Sequence, residues 1–320
     1  MKTLRKFSHI NAKSADEAAS ALRRGDTVIM AGGTDLLGTM RFEILQTYPH
    51  VVVNLKTIPG LAYIREESGV LKMGALTRLE DIAKSEIVHS KYAALAQAAF
   101  RVATPHIREM GTLGGNICQY TRCWYFRKED NRFNCTRKGG DRCYAMSGEN
   151  RYHSIFGALK ACVAVNPSDT APALVALNAK IKTNKRTIES EKFWDMAIPG
   201  STVLETDEIV TEIQVPEPAA GDRSAFIKFA LRKSIDFPIV NCAAALSGGT
   251  FRICLNAVHN IPYRAIGAES AMQGKTVDAA TAEAAGAAAV SDARALPGGK
   301  NEWKIHIAKV MVKRAILACA

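Results

Sequence analysis

The 320-residue chain has no apolar run of the ~18 residues that would span a bilayer, and its opening, MKTLRKFSHINAKSADEAAS, lacks the apolar stretch of a secretory signal. A cytoplasmic protein is expected, with export alongside a signal-bearing partner left open. Lys and Arg outnumber Asp and Glu by 42 to 31, for a net charge of +11. A basic surface steers nucleic acid, an anionic cofactor or an acidic partner alike. No Lys/Arg arm and no nucleic-acid module is present, so nucleic acid is set aside. Also missing are G-x-G-x-x-G, G-x-x-x-x-G-K-[ST], any C-x2-C pair, and repeats at solenoid periods. With 48% hydrophobic and 23% charged residues, the composition is that of a folded globular protein. Eight cysteines without a signal argue for reduced thiols, some of them metal ligands, over a disulfide framework.

The pattern along the chain predicts an α+β protein. Ser14 followed by Glu17 reads as a capping box opening a helix that ends near Gly25. Strands are expected over 27–31, 51–55, 70–73 and 209–215, with a helical stretch over 91–103 and a helix over 170–179. From Cys118 to Cys162 the apolar periodicity lapses and five cysteines gather, which marks an irregular insertion. Pro216, Pro218 and Gly221 suggest a boundary near residue 220. Beyond it, strands over 226–231 and 242–246, a turn at Gly248-Gly249 and Ala-rich helices after Val277 suggest a smaller α+β domain.

Two glycine loops are candidate phosphate cradles. In Met30-Ala31-Gly32-Gly33-Thr34-Asp35-Leu36-Leu37 a strand ends in paired glycines followed by a hydroxyl and a carboxylate; Thr112-Leu113-Gly114-Gly115-Asn116 offers more backbone donors. Glycine permits close approach and positive φ, and the N–H groups of such turns can point at an anion. Either loop alone serves structure as readily as a ligand. Asp169, at a helix start, reads as an N-cap or as an acceptor for a ribose or ring group.

Taken in order, AGGTDLL, TPHIREMGTLGGN, PSDTAPALVAL and FIKFALRKSIDFPIVNCAAAL resemble the FAD-binding medium subunits of the xanthine dehydrogenase and carbon monoxide dehydrogenase family, over essentially the whole chain. The resemblance implies the two-part FAD-binding fold of the vanillyl-alcohol oxidase (PCMH) type over 1–220, with parts 1–56 and 57–220 and the insertion 118–162, then a C-terminal flavoprotein domain over 221–320. It implies that Met30 to Leu37 and Thr112 to Asn116 hold the diphosphate and adjoining parts of FAD, with Asp169, Val210 and Lys228 as further flavin contacts. A cation at Lys228 suits an anionic reduced flavin, although a lysine is ordinarily a solvated surface residue.

Cys123, Cys135, Cys143 and Cys162 can hold one [4Fe-4S] cluster or one zinc ion, and their spacing matches neither common zinc knuckles nor small ferredoxins. A four-thiolate cluster is anionic, and Arg122, Arg127, Lys128, Arg132, Arg137, Lys138, Arg142, Arg151 and Lys160 share the segment with Trp124, Tyr125, Phe126 and Phe133. The cysteine pattern resembles the insertion of bacterial aldehyde oxidoreductase and 4-hydroxybenzoyl-CoA reductase flavin subunits, which implies an extra [4Fe-4S] cluster. Cys118 ranks below the four; Cys242, Cys254 and Cys319 sit in apolar settings as small hydrophobes. His106 and His153 are expected to be surface or packed side chains.

These readings imply an electron-transfer subunit of a heterotrimeric molybdenum hydroxylase. The molybdenum cofactor would lie in a large partner and [2Fe-2S] clusters in a small one, with ferredoxin, NAD, a quinone or oxygen as external carrier. No acid, base or nucleophile for substrate chemistry is assigned. Rival readings are a stand-alone flavoprotein oxidase or dehydrogenase and a zinc-stapled adaptor.

Overall fold

The computed structural model describes residues 2–320. The chain begins with β1 (Ser8–Asn11), α1 (Ala15–Leu22), β2 (Thr27–Met30), α2 (Leu36–Arg41) and β3 (Val51–Asn54). The three strands form a parallel sheet in the order β1-β3-β2, with β3 central and both Val52 and Val53 fully buried. Ser14 Oγ accepts from the Glu17 N–H at 3.1 Å, as its spacing suggests, while the Glu17 carboxylate reaches back to the Lys13 N–H, one residue short of a closed capping box.

Next come β4 (Ile64–Glu67), β5 (Val70–Gly74), α3 (Leu79–Lys84), α4 (Glu86–Lys91), α5 (Ala93–Phe100), α6 (Pro105–Arg108), α7 (Leu113–Ile117), α8 (Thr170–Ala176), β6 (Lys180–Thr183), β7 (Thr187–Glu189) and β8 (Val210–Pro216). The strands make an antiparallel sheet in the order β4-β5-β8-β6-β7. The helical stretch expected over 91–103 is shorter: Tyr92 leaves helical geometry at φ −122° so that its ring is wholly buried, and the chain has turned by Ala103, at φ +42°. Between α7 and α8 the chain runs irregularly, with a single 3-10 turn at Thr136–Lys138, as its lost periodicity foretold.

The remaining residues form β9 (Arg223–Phe229), β10 (Val240–Ser247), β11 (Thr250–Asn256), β12 (Tyr263–Arg264), α9 (Ile266–Met272), α10 (Ala279–Ala289) and α11 (Trp303–Leu317). The sheet is antiparallel in the order β12-β11-β10-β9. Ser247 pairs with Thr250 across Gly248 (φ +54°) and Gly249 (φ +78°), a two-residue turn whose left-handed pair suits the twist of the strands it joins. In β10 burial does not alternate, because both faces are covered: Ala243 packs into the core of the preceding sheet and helices, Cys242 and Ala244 into the core built with α9, α10 and α11. Alanine and cysteine are small enough to let helices approach from both sides. The expected α+β class is what the structure has.

Candidate functional site

A cavity of about 520 Å3 brings the two glycine loops together with Pro167, Asp169 and Val210. Of the residues expected to bind FAD, Ala31, Gly32, Gly33, Thr34, Asp35, Leu36, Thr112, Gly114, Gly115, Asn116, Asp169 and Val210 line it; Met30, Leu37, Leu113 and Lys228 do not. Leu113 is fully buried and its N–H goes to Thr77 O at 2.9 Å.

The loops differ in what they offer. In the second, the Gly114 N–H donates to Ala75 O, the Gly115 N–H to the capping Thr112 hydroxyl and the Asn116 N–H to Thr112 O, so these donors are spent inside the fold. The expectation that both loops grip an anion through N–H groups is corrected here. In the first, the N–H groups of Gly32, Gly33, Thr34, Asp35 and Leu36 have no acceptor among the described residues. Successive free N–H groups at a turn form an anion-binding concavity. Its glycines have structural reasons: Gly33 sits at φ +74°, and a Cβ on Gly32 would lie 2.0 Å from Met110 O.

Asp35 gives the turn a free N–H while its carboxylate goes elsewhere. It pairs with Arg122 at 3.0 Å and Arg127 at 2.7 Å and accepts from the Tyr120 N–H at 3.0 Å, which ties the cysteine segment to the turn. One carboxylate between two guanidiniums leaves a net positive charge beside the free N–H groups. Burial opposes the charge on Asp35, yet the two arginines hold its carboxyl below the usual range. The stability it contributes is therefore complete above the unfolded value of about 3.9 and lost as pH falls through the lower folded value. Asp35→Asn is expected to cost about 2 kcal/mol near pH 7, typical for hydrogen bonds to a charged group, and to flatten the acid limb of urea midpoints measured between pH 5 and 2.

Asp169 is neither a surface group nor a side-chain cap; the Ser168 hydroxyl caps α8 instead, accepting from the Ala171 N–H. Its carboxylate accepts from Lys228 Nζ at 2.7 Å and Asn241 Nδ2 at 2.8 Å. The Lys228 side chain is 1% exposed, so it is a buried partner of Asp169 and not a solvated lysine. Asn116 Oδ1 accepts from Ser168 and Thr170 hydroxyls. Lining residues that the sequence did not assign to the flavin cavity include Gln119, Tyr120, Arg122, Ile235 and Phe237. Arg122 lies over the Phe237 ring at 4.4 Å. The first three directly follow the second loop, the one signal that marked them.

Cys123, Cys135, Cys143 and Cys162 line a second, narrow cavity with Tyr125, Phe126, Arg137, Ala145 and Ala164. No three His, Cys, Asp or Glu side chains among the described residues are grouped as single-ion ligands. Cys118 lies apart, in the larger cavity; Cys242, Cys254 and Cys319 are buried in the core. His153 is buried with Nε2 3.2 Å from Cys123 Sγ, and burial together with Lys304 pulls it down to about 4; His106 is exposed.

The cations divide sharply. Arg122 and Arg127 serve Asp35, Arg151 pairs with Glu149 and Lys160 with Asp195, so the expectation that the whole basic segment surrounds the thiols is corrected. Arg137 and Lys138, 2% and 5% exposed, are the two that are buried beside them, and among the described residues their side chains donate to Cys162 Sγ, Gly200 O, Ser201 Oγ, Ile44 O and Phe126 O and to no carboxylate. Buried charge without a counter-charge is costly. Four thiolates carrying an anionic group would supply it.

Residues 5–218 match the family described as the FAD binding domain in molybdopterin dehydrogenase, and residues 225–319 the CO dehydrogenase flavoprotein C-terminal domain. The chain is 33% identical to the aldehyde oxidoreductase FAD-binding subunit PaoB of Escherichia coli (strain K12), over 92% of each chain. It is 29% identical to the carbon monoxide dehydrogenase medium chain of Hydrogenophaga pseudoflava, over 98% of this chain and 96% of that one. A solved carbon monoxide dehydrogenase from the same organism superposes with a TM-score of 0.76 at 27% identity, covering 99% of this chain and 98% of the other.

Proposed function

The chain belongs to the FAD-binding medium subunits of the xanthine dehydrogenase and carbon monoxide dehydrogenase family, oxidoreductase subunits of molybdenum hydroxylase type, and from that premise we propose that it is a two-cofactor electron-exchange subunit. It would hold FAD in the large cavity and a [4Fe-4S] cluster on Cys123, Cys135, Cys143 and Cys162, and work in a heterotrimer with a large molybdenum-cofactor subunit and a small [2Fe-2S] subunit. FAD takes up electrons singly or in pairs and the cluster singly, which lets carriers of different stoichiometry exchange.

The chain's own residues prepare both places. The Gly32 to Leu36 turn presents N–H groups and neighbouring guanidiniums to a diphosphate. The second loop contributes shape, by packing Gly114 against Ala75, and the Thr112 and Asn116 side chains. Asp169, fixed by Lys228 and Asn241, stands at the wall as an acceptor. No acid, base or nucleophile for substrate chemistry is needed, since that chemistry falls to the large partner.

The observation that carries the cluster reading is the set of four thiols lining one narrow cavity beside the buried Arg137 guanidinium, whose hydrogen bonds reach no carboxylate. Protein purified anaerobically is expected to contain iron and sulfide, with a shoulder near about 400 nm that dithionite bleaches. Single serine replacements of Cys123, Cys135, Cys143 or Cys162 should each lower iron content several-fold, and Cys118→Ser should leave it unchanged. Zinc without iron, or iron unaffected by all four replacements, would overturn the assignment.

A further inference from the structure

Arg137 occupies a position that the ligand assignment does not use. Its Nη1 donates to Gly200 O at 2.6 Å and to Ser201 Oγ at 3.0 Å, which anchors the guanidinium from behind. Its Nε then donates to Cys162 Sγ at 3.4 Å, and the Ala164 N–H reaches the same sulfur at 3.4 Å. Lys138, next in sequence, turns away: Nζ donates to Ile44 O and Phe126 O. Arg137 is thus the buried cation bonded to a ligand sulfur.

We infer that Arg137 sets the reduction potential of the four-cysteine centre, acting as a positioning residue through Cys162. The inference rests on the cluster reading above. Net charge, hydrogen bonds to the sulfurs and exposure govern such potentials. An added electron is opposed by negative charge already present in a site of low dielectric, where Coulomb terms are large. A fixed guanidinium offsets that opposition, and its N–H···S bond withdraws charge from the Cys162 thiolate. Both effects favour the reduced state. The other arginines of the segment cannot take over, because Arg122 and Arg127 are committed to Asp35, Arg151 to Glu149, and Arg132 and Arg142 are exposed.

The test is an EPR-monitored redox titration of the full chain, expressed with its partner subunits, as wild type, Arg137→Gln and Arg137→Lys, with iron and sulfide determined for each. Both variants are expected to retain the cluster and to be harder to reduce, the glutamine form more so. For that form the reduced-to-oxidised ratio at fixed poise should fall about tenfold, which for a one-electron couple is about 59 mV. An unchanged midpoint in a fully loaded variant would overturn the inference alone. Loss of iron from both variants would overturn it too, by making Arg137 a folding element. A wild type without iron would defeat the cluster reading, and this one with it.

Discussion

Gly32→Ala is expected to yield a chain that purifies with little or no flavin. The added Cβ would stand 2.0 Å from Met110 O and 2.8 Å from Met110 C, and a backbone carbonyl has no rotamer by which to step aside. The carbonyl's neighbourhood is held as well: the Gly111 N–H donates to Ile107 O at 2.6 Å, and Gly111 O accepts from the Leu79 N–H at 2.9 Å. The turn after β2 must therefore retreat, separating its free N–H groups from the opposite wall of the cavity. Overpacking of this kind costs about 1–3 kcal/mol of stability. If the loss falls mainly on the bound form, FAD affinity drops at least about tenfold, equivalent to roughly 1.4 kcal/mol. Flavin absorbance per chain and calorimetric titration with FAD read the two effects. Gly38→Ala is the control, because no atom lies within 4 Å of a Cβ there and the site is inside α2. It should bind flavin normally and gain about 1 kcal/mol from helix propensity. A Gly32→Ala chain with full flavin would show that contact with Met110 does not position the turn.

Features governed by near neighbours in sequence were legible before the structure. Ser14 and Glu17 meet within one helical turn, and Gly248-Gly249 carries the stereochemistry of a hairpin in two residues. Strand positions over 70–73 and 209–215 followed from apolar runs and breakers, and the structure pairs them as β5 and β8. The candidate cysteines were legible as a set, and the fold gathers them at one cavity. Which cations face them was not. Arg137 and Arg151 look alike in a basic segment, and only the packing of Gly200 and Ser201 against the 3-10 turn buries the first. Asp35 reads as a ligand-facing carboxylate because its arginines are more than eighty residues away. Nor does a lysine on a strand announce an acid 59 positions earlier.

That last pair should carry the largest single stability effect in the chain. Asp169 lies just before α8 and Lys228 on β9; Asn241, opposite Lys228 on β10, holds the other carboxylate oxygen, and Lys228 also donates to Arg101 O at the end of α5. Both charges are almost wholly buried, at 4% and 1% side-chain exposure. Asp169→Asn keeps the shape but leaves an ammonium inside the protein with no counter-charge, for an expected loss of about 3–5 kcal/mol. Lys228→Met strands the carboxylate, which has a way out: burial already pushes its carboxyl above the usual range, against the pull of Lys228, and it can take up a proton. A carboxyl raised in the folded state favours folding when protonated. The Lys228→Met chain should therefore be most stable below about pH 4, where the unfolded carboxyl is protonated too, and lose stability as pH rises through the folded value. Asp169→Asn has no such carboxyl at this position and should lack that trend. The double replacement removes both charges and should recover most of the loss, giving a coupling of about 3 kcal/mol in urea midpoints. Additivity of the single effects within about 0.5 kcal/mol would mean that the two side chains do not act as a pair. Flavin content separates their roles. Asp169 lines the cavity and Lys228 stands behind it, so Asp169→Asn should weaken FAD binding directly, and Lys228→Met only to the extent that Asp169 shifts or becomes protonated.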